Sequence, residues 1–120
     1  MNEKRVLVID DEDFIRELVK DFLEMDDVLC DGVANAEDAF KLIAKVPFNL
    51  ILLDRNLGTR KAEDVIATIR ELNDQIPIII LTGDPHCDDD YLEEIGANGI
   101  IFKPFQVADF MKKISTYLEM

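Results

Sequence analysis

The sequence lacks the long apolar stretches and the excess of cations that are typical of membrane proteins and nucleic-acid-binding proteins. It has no apolar run of eighteen or more residues and no signal-peptide pattern, so we expect a cytoplasmic protein without a membrane partner. It carries 13 Lys and Arg residues against 26 Asp and Glu residues, a net charge of −13. Because affinity for a phosphate backbone comes from Lys and Arg, this balance argues against direct binding of nucleic acid.

Cysteine is scarce as well, and the sequence has no segment that would mark a boundary between two domains. The two cysteines, Cys30 and Cys87, are far apart and lack metal-ligand spacing, so we expect both to be reduced thiols. We find no internal repeat, low-complexity stretch or linker. The sequence therefore predicts one domain over residues 1–120, a length that allows one sizeable core.

Strand-like apolar runs alternate with helix-like apolar spacings along the whole chain. The predicted strands are 5–10, 28–30, 49–54, 76–81 and 99–102. The predicted helices are 12–25, 35–45, 61–73, one from Asp84 to Gly96, and one from about 107 to the end of the chain. Asn35 is expected to cap the second helix. Asp84 and Pro85 are expected as N-cap and first residue of the fourth, which Gly96 ends.

Five strand–helix units with nearly continuous apolar strands predict an α/β fold. Such strands form a doubly wound parallel sheet that is covered by helices on both faces. A common strand order at this size is 2-1-3-4-5, with a topological switch point between strands 1 and 3. Ligands bind beyond the carboxyl ends of the strands at that point.

Acidic residues follow the two strands that flank the predicted switch point. Asp10 and Asp11 follow the first strand, and Asp54 ends the third. At a spacing of roughly 5 Å and an effective dielectric near 20, each pair of charges costs about 3 kcal/mol, which a bound cation would offset. Hard carboxylate oxygens favour Mg²⁺ or Ca²⁺. Thr82 and Lys103, at the ends of strands 4 and 5, add a hydroxyl and an ammonium, so that the set describes a pocket for a phosphoryl group and Mg²⁺.

The chain resembles the receiver domain of two-component response regulators, which has a flavodoxin-like fold with strand order 2-1-3-4-5. Four motifs carry the resemblance, each weak alone but strong together because all four lie at strand ends in the right order. They are Asp10-Asp11 after Val8-Ile9, Leu52-Leu53-Asp54, Ile80-Leu81-Thr82-Gly83, and Gly96-Ala97 leading to Phe102-Lys103-Pro104-Phe105.

The resemblance implies that Asp54 is the phosphoacceptor. Its carboxylate would take a phosphoryl group from a phosphohistidine of a sensor histidine kinase or histidine phosphotransfer protein. Thr82 would hydrogen-bond the bound group and Lys103 would pair with it. The bond between Lys103 and Pro104 is expected to be cis.

The resemblance also implies a Mg²⁺ site. Asp11 and Asp54 would bind the ion directly, Asp10 through water, and Asn56 through its backbone carbonyl. The chain would have no enzymatic activity beyond its own phosphorylation and dephosphorylation. Asn56 and Asp84 would border the path of the hydrolytic water and so tune the lifetime of the phosphorylated form.

Two features depart from the family pattern. The loop Gly58-Thr59-Arg60-Lys61-Ala62 replaces a Pro-Gly turn, so we expect it to be more mobile. Ile100 stands where the family favours Tyr or Phe, whose ring changes orientation with the threonine on phosphorylation. We therefore expect a weaker response of the face formed by the fourth helix, fifth strand and fifth helix.

Other interpretations stay open at this point. A flavin- or nucleotide-binding protein of this architecture is disfavoured, because residues 10–13 are all acidic where a phosphate-binding loop would lie. A degenerate receiver that binds a partner without being phosphorylated is disfavoured by the five site residues, although Ile100 keeps it possible. The chain could be a complete regulator or one module of a larger protein with an output domain.

Overall fold

A parallel sheet with helices on both faces organises the computed structural model, which describes residues 3–119. In chain order the elements are β1 (Arg5–Ile9), α1 (Asp13–Glu24), β2 (Leu29–Val33), α2 (Ala36–Ile43), β3 (Leu50–Asp54), β4 (Asn56–Leu57), β5 (Arg60–Lys61), α3 (Ala62–Leu72), β6 (Ile78–Thr82), α4 (Asp89–Ile95), β7 (Gly99–Phe102) and α5 (Val107–Leu118). The sheet order is β2-β1-β3-β6-β7, and β4 and β5 form a separate hairpin. The five sheet strands thus have the predicted order 2-1-3-4-5, and the predicted fold is confirmed.

The two central strands carry apolar side chains on both faces. Every residue of β3 and β6 is buried, because helices cover the sheet above and below. One core cluster joins alternate strand residues such as Ile9 and Leu53 to α2, α3 and α4. The other joins residues such as Val8 and Leu52 to α1 and α5. The strand register aligns Ile9 with Leu53, so the residues after β1 and at the end of β3 meet at one edge of the sheet.

Two predicted helix ends are confirmed. The side chain of Asn35 accepts a hydrogen bond from the backbone N–H of Asp38 at 2.8 Å, which satisfies an otherwise unpaired donor at the start of α2. Gly96 ends α4 with a φ of +84°, a left-handed conformation that glycine adopts without steric cost.

The predicted start of the fourth helix is wrong. The helix begins at Asp89, and its N-cap is Asp88, whose carboxylate accepts the N–H of Tyr91 at 3.0 Å. Asp84 does not cap it, because the Asp84 carboxylate instead accepts the N–H of His86 at 2.9 Å and pairs with Arg55. The residues from Pro85 to Asp88 are therefore outside the helix.

The second strand extends further than predicted. It covers Leu29–Val33 instead of 28–30, so two residues of low strand propensity, Asp31 and Gly32, belong to it. This strand lies at the edge of the sheet, where polar residues are tolerated. Asp31 pairs there with Arg5 of the neighbouring strand at 2.9 Å.

The loop after β3 has regular structure. Its residues form the antiparallel β4–β5 hairpin, in which Asn56 pairs with Lys61 and Leu57 with Arg60. Gly58 supplies the positive φ of +62° that the turn requires. The loop whose sequence departs from the family pattern thus forms a defined hairpin. Its greater mobility stays a prediction.

Three further expectations concern membrane-spanning helices, the two cysteines and the peptide bond before Pro104. No helix within residues 3–119 combines the length and the hydropathy needed to cross a bilayer. Cys30 and Cys87 are buried free thiols, as predicted. Burial raises the pKa of Cys30 to about 12, which keeps its thiol protonated. The peptide bond between Lys103 and Pro104 is cis, as predicted.

Candidate phosphoacceptor and metal site

Asp10, directly after β1, is fully buried and hydrogen-bonded through both carboxylate oxygens. One oxygen accepts the N–H of Glu12 at 2.9 Å, and the other accepts Lys103 Nζ at 3.0 Å. The backbone carbonyl of Asp10 accepts Arg16 Nη1 at 2.7 Å. A buried carboxylate is tolerated only with such partners; the Asp10 carboxylate has two, and Arg16 holds the backbone of the same residue.

Asp54 ends β3 and is almost completely buried, with 4% of its surface exposed. Its Oδ1 accepts the N–H of Asn56 at 3.1 Å and lies 3.5 Å from Lys103 Nζ. Burial raises the pKa of Asp54 to about 6; the charge of Asp10 adds to the rise, while the N–H of Asn56 and the ammonium of Lys103 oppose it. At pH 7 the carboxylate is mainly ionised, and so available as a nucleophile.

Lys103 connects the two buried acids from the far side of the pocket. Its Nζ lies 3.0 Å from Asp10, 3.5 Å from Asp54 and 3.9 Å from Glu12. Burial alone would lower the pKa of Lys103, but the hydrogen bond to Asp10 and the three negative charges outweigh burial and raise it. The ammonium therefore stays charged and partly neutralises the acids.

Thr82 ends β6 with 1% of its surface exposed. Its Oγ1 accepts the backbone N–H of Asp84 at 3.0 Å, and its backbone carbonyl accepts the N–H of Lys103 at 2.7 Å. A hydroxyl that accepts one hydrogen bond still has a proton to donate. Thr82 thus offers a donor at the same sheet edge as Asp54.

Three consecutive acids, one of which is the buried Asp10, form a group of oxygen ligands after β1. One carboxylate oxygen each from Asp10, Asp11 and Glu12 lies within 4.8 Å of the others, and the latter two residues are exposed. The hard oxygens suit Mg²⁺ or Ca²⁺. The metal site predicted from the sequence does not include Glu12, although its position in the acidic run 10–13 could have indicated it. Asp54 lies outside this group, and Lys103 is its link to Asp10.

The comparison with protein families agrees with this geometry. The model of the response regulator receiver domain matches residues 6–115, which is most of the chain. The chain belongs to this receiver family. It is a signalling domain of two-component systems, as the four strand-end motifs predicted.

Curated relatives of this receiver domain are regulatory proteins. The chain is 28% identical over 119 residues to the regulatory protein VirG of Agrobacterium tumefaciens, covering 98% of this chain and 44% of that protein. It is 32% identical over 115 residues to the transcriptional regulatory protein SrrA of Staphylococcus aureus, covering 94% of this chain and 47% of that protein. The receiver domain therefore spans about half the length of the curated relatives that it matches.

Solved structures share the fold across nearly their full length. A CheY-like receiver domain from Methanospirillum hungatei is 26% identical with a TM-score of 0.87, covering 98% of this chain and 95% of that one. The beryllofluoride-activated NtrC4 receiver domain is 29% identical with a TM-score of 0.83, covering 96% of each chain. The chemotaxis regulator CheY4 of Vibrio cholerae, at 23% identity, has a TM-score of 0.89 and covers 98% of this chain and all of its own, which shows a shared fold.

The predicted switch residue of this receiver domain is buried. Ile100 is 7% exposed and belongs to the core cluster under α2, α3 and α4. Its carbonyl accepts Lys113 Nζ from α5 at 2.8 Å. The structure thus places Ile100 in the packed core, tied by its backbone to α5.

The two residues predicted to tune the lifetime of the phosphorylated form differ in their contacts with Arg55. The Asn56 side chain is exposed, and Asp84 Oδ2 accepts Arg55 Nη1 at 2.6 Å. The N–H of His86 and the Arg55 guanidinium hold the pKa of Asp84 below its usual range, while Asp84 raises the pKa of Arg55. The contact of Arg55 with Asp84, 29 residues away, had no sequence signal.

Proposed function

We propose that Asp54 accepts a phosphoryl group from a phosphohistidine in a Mg²⁺-dependent reaction. The observation that supports this function is the buried Asp54 carboxylate, 3.5 Å from Lys103 Nζ, which also lies 3.0 Å from the buried Asp10. The phosphorylated form would then change how the domain interacts with an output domain or a partner protein.

The metal-binding residues would be Asp11, Asp54 and the backbone carbonyl of Asn56, with Asp10 acting through water. The chemistry of these groups fits the ion, because all offer hard oxygens and three are carboxylates; Asp10 and Asp11 lie in one group of close oxygens, and Lys103 links Asp54 to Asp10. Mg²⁺ would neutralise charge on the phosphoryl oxygens. Glu12, whose carboxylate lies in the same group as Asp11, adds a further negative charge at the mouth of the pocket.

Asp54, Lys103 and Thr82 would each have a separate role in the phosphoryl transfer. An ionised Asp54 oxygen forms the new bond to phosphorus, while the bond from phosphorus to the donor imidazole breaks and its electron pair stays on that nitrogen. Lys103 compensates negative charge on the transferred group, and the Thr82 hydroxyl donates a hydrogen bond to it. Lys103 already contacts both buried acids, so its ammonium lies beside the proposed nucleophile.

The partners follow from this reaction. A sensor histidine kinase or a histidine phosphotransfer protein would supply the phosphoryl group, and an output domain or separate protein would respond to it. Because the curated relatives are about twice as long as this chain, an output domain in the same protein is part of the proposal. We infer no nucleic acid contact by this domain, and a cytoplasmic location stays a prediction.

Phosphorylation by a small phosphodonor tests the proposed function. With Mg²⁺ and excess donor, the intact mass of the wild type should rise by one phosphoryl group. Asp54→Asn should take up none, since its near-isosteric amide is a poor nucleophile. The control is Asp31→Asn, which removes an acid at the sheet edge and should be labelled like the wild type. A wild type without labelling would favour the degenerate receiver, and full labelling of Asp54→Asn would move the acceptor elsewhere.

A further inference from the structure

Arg55 contacts three parts of the domain at the edge of the pocket, one through its backbone and two through its side chain. Its backbone N–H donates to the carbonyl of Leu81 at 2.9 Å, which fixes the residue between β3 and β6. Its Nη1 lies 2.6 Å from Asp84 Oδ2, in the loop after β6. Its Cζ lies 4.6 Å from the ring centroid of Tyr91 in α4, a favourable cation–π distance. The residue next to the proposed acceptor therefore reaches directly to a helix.

Asp84 links this arginine to Thr82. Its backbone N–H donates to Thr82 Oγ1 at 3.0 Å, while its carboxylate holds Arg55. The contacts thus run without interruption from Thr82 to Asp84, to Arg55 and to Tyr91. Thr82 is the residue whose hydroxyl is proposed to donate to a bound phosphoryl group, and a rotation of its side chain toward that group would disturb the contact with Asp84.

Tyr91 is well placed to pass such a disturbance to α4. Its ring packs against the core cluster that includes Leu92 and Ile95 of the same helix. Its backbone N–H donates to the N-cap residue Asp88 at 3.0 Å. A displaced Tyr91 ring would therefore act on the first turn of the helix, where the cap hydrogen bond forms.

We propose that Arg55 is a positioning residue that couples the phosphoacceptor site to α4. The proposal rests on the proposed function, because the signal begins when Thr82 binds the phosphoryl group. Thr82 then releases the N–H of Asp84, the loop after β6 shifts, and Arg55 moves with its ion-pair partner and changes its contact with Tyr91. This path bypasses Ile100, and it revises our expectation for α4 but not for β7 and α5.

A neighbouring arginine provides a matched control. Arg60 also pairs with an acid, Glu37, and its guanidinium lies 5.9 Å from the ring centroid of Phe40. These contacts face α2 instead of α4. Arg60→Gln therefore removes the same charge and the same kinds of contact from the same loop, and leaves the proposed path intact.

The experiment compares amide chemical shifts with and without Mg²⁺ and beryllofluoride in wild type, Arg55→Gln, Arg55→Lys and Arg60→Gln. The wild type and Arg60→Gln should shift over 88–95. Arg55→Gln should lose most of these shifts while keeping those around Thr82, which a mere loss of stability would not produce. Arg55→Lys should recover part of them, because Lys keeps the charge but lacks the planar group that stacks on Tyr91.

Each other outcome overturns a specific statement. Full shifts over 88–95 in Arg55→Gln, or their equal loss in Arg60→Gln, overturn the role of Arg55 and leave the proposed function intact. A wild type that takes up no phosphoryl group by intact mass overturns the proposed function, and the coupling proposal with it.

Discussion

The acidic pocket and the β7–α5 surface use polar side chains in opposite ways. In the pocket, Asp10 and Asp54 are buried next to each other and depend on Lys103 for compensation. At β7, polar side chains of α5 secure the strand edge instead: Lys113 Nζ donates to the Ile100 carbonyl, and the Tyr117 hydroxyl donates to the Asn98 carbonyl, both at 2.8 Å. The first region is organised to respond to a ligand, whereas the second is organised to stay in place.

The difference shows which part of the domain holds unfavourable energy. Like charges in a buried pocket cost free energy that a cation or a phosphoryl group can change. Satisfied backbone acceptors at a strand edge offer no such response, because each already has a partner. We therefore expect metal binding and phosphorylation to perturb the loops after β3 and β6 most, and β7 and α5 least.

The largest expected effect concerns the metal. At 100 times its dissociation constant, Mg²⁺ should stabilise the wild type by about 2.7 kcal/mol. Asp11→Asn should stabilise the metal-free protein by relieving repulsion, and should remove most of the Mg²⁺ effect. Thermal unfolding with Mg²⁺ or with chelator measures both. Asp21→Asn, which removes an exposed acid of α1, is the control. Equal Mg²⁺-induced shifts of melting temperature in wild type and Asp11→Asn would contradict the assigned ligand.

An intermediate effect is expected for the lifetime of the phosphorylated form. Asp84→Ala frees Arg55 and opens the border of the pocket, so the decay rate should change by roughly two- to tenfold, or about 0.4–1.4 kcal/mol in the barrier. Substitution of Asn56 should act in the same way. The level reached with excess phosphodonor should change less. Decay followed by intact mass after donor removal measures this, with Asp90→Ala in α4 as the control; unchanged decay in both variants would exclude a role in hydrolysis.

The sequence predicted the sheet and the main pocket because both depend on local patterns. Continuous apolar runs identify buried strands, and parallel strands bring the residues at their carboxyl ends to one edge, which is why Asp10, Asp54 and Lys103 could be placed together. The start of α4 depends on a competition that no local pattern contains. Asp84 followed by Pro85 has the signature of a helix start, but the distant Arg55 and the nearby His86 engage its carboxylate.

Local sequence patterns also fail to predict contacts between the ends of long side chains. Arg55 and Tyr91 are far apart in the chain, and they meet only because the residue after β3 and the first turn of α4 lie close together in the fold. Sequence spacing predicts which residues share a face of a helix or strand, but it does not predict which of several charged residues will meet across two loops.

The smallest expected effect is at β7 and α5. It tests most directly the difference between the acidic pocket and the β7–α5 surface. Beryllofluoride with Mg²⁺ should shift amide resonances strongly around Thr82 and in the β4–β5 hairpin, and only weakly over 98–102 and 106–118. Ile100 has no flat ring to reorient, its β-branch restricts χ1, and its carbonyl is held by Lys113. Shifts along 98–102 and 106–118 as large as those around Thr82 would show that Ile100 is no barrier. The two regions would then respond as one unit, and the hydrogen bonds from α5 would move with β7 instead of holding it.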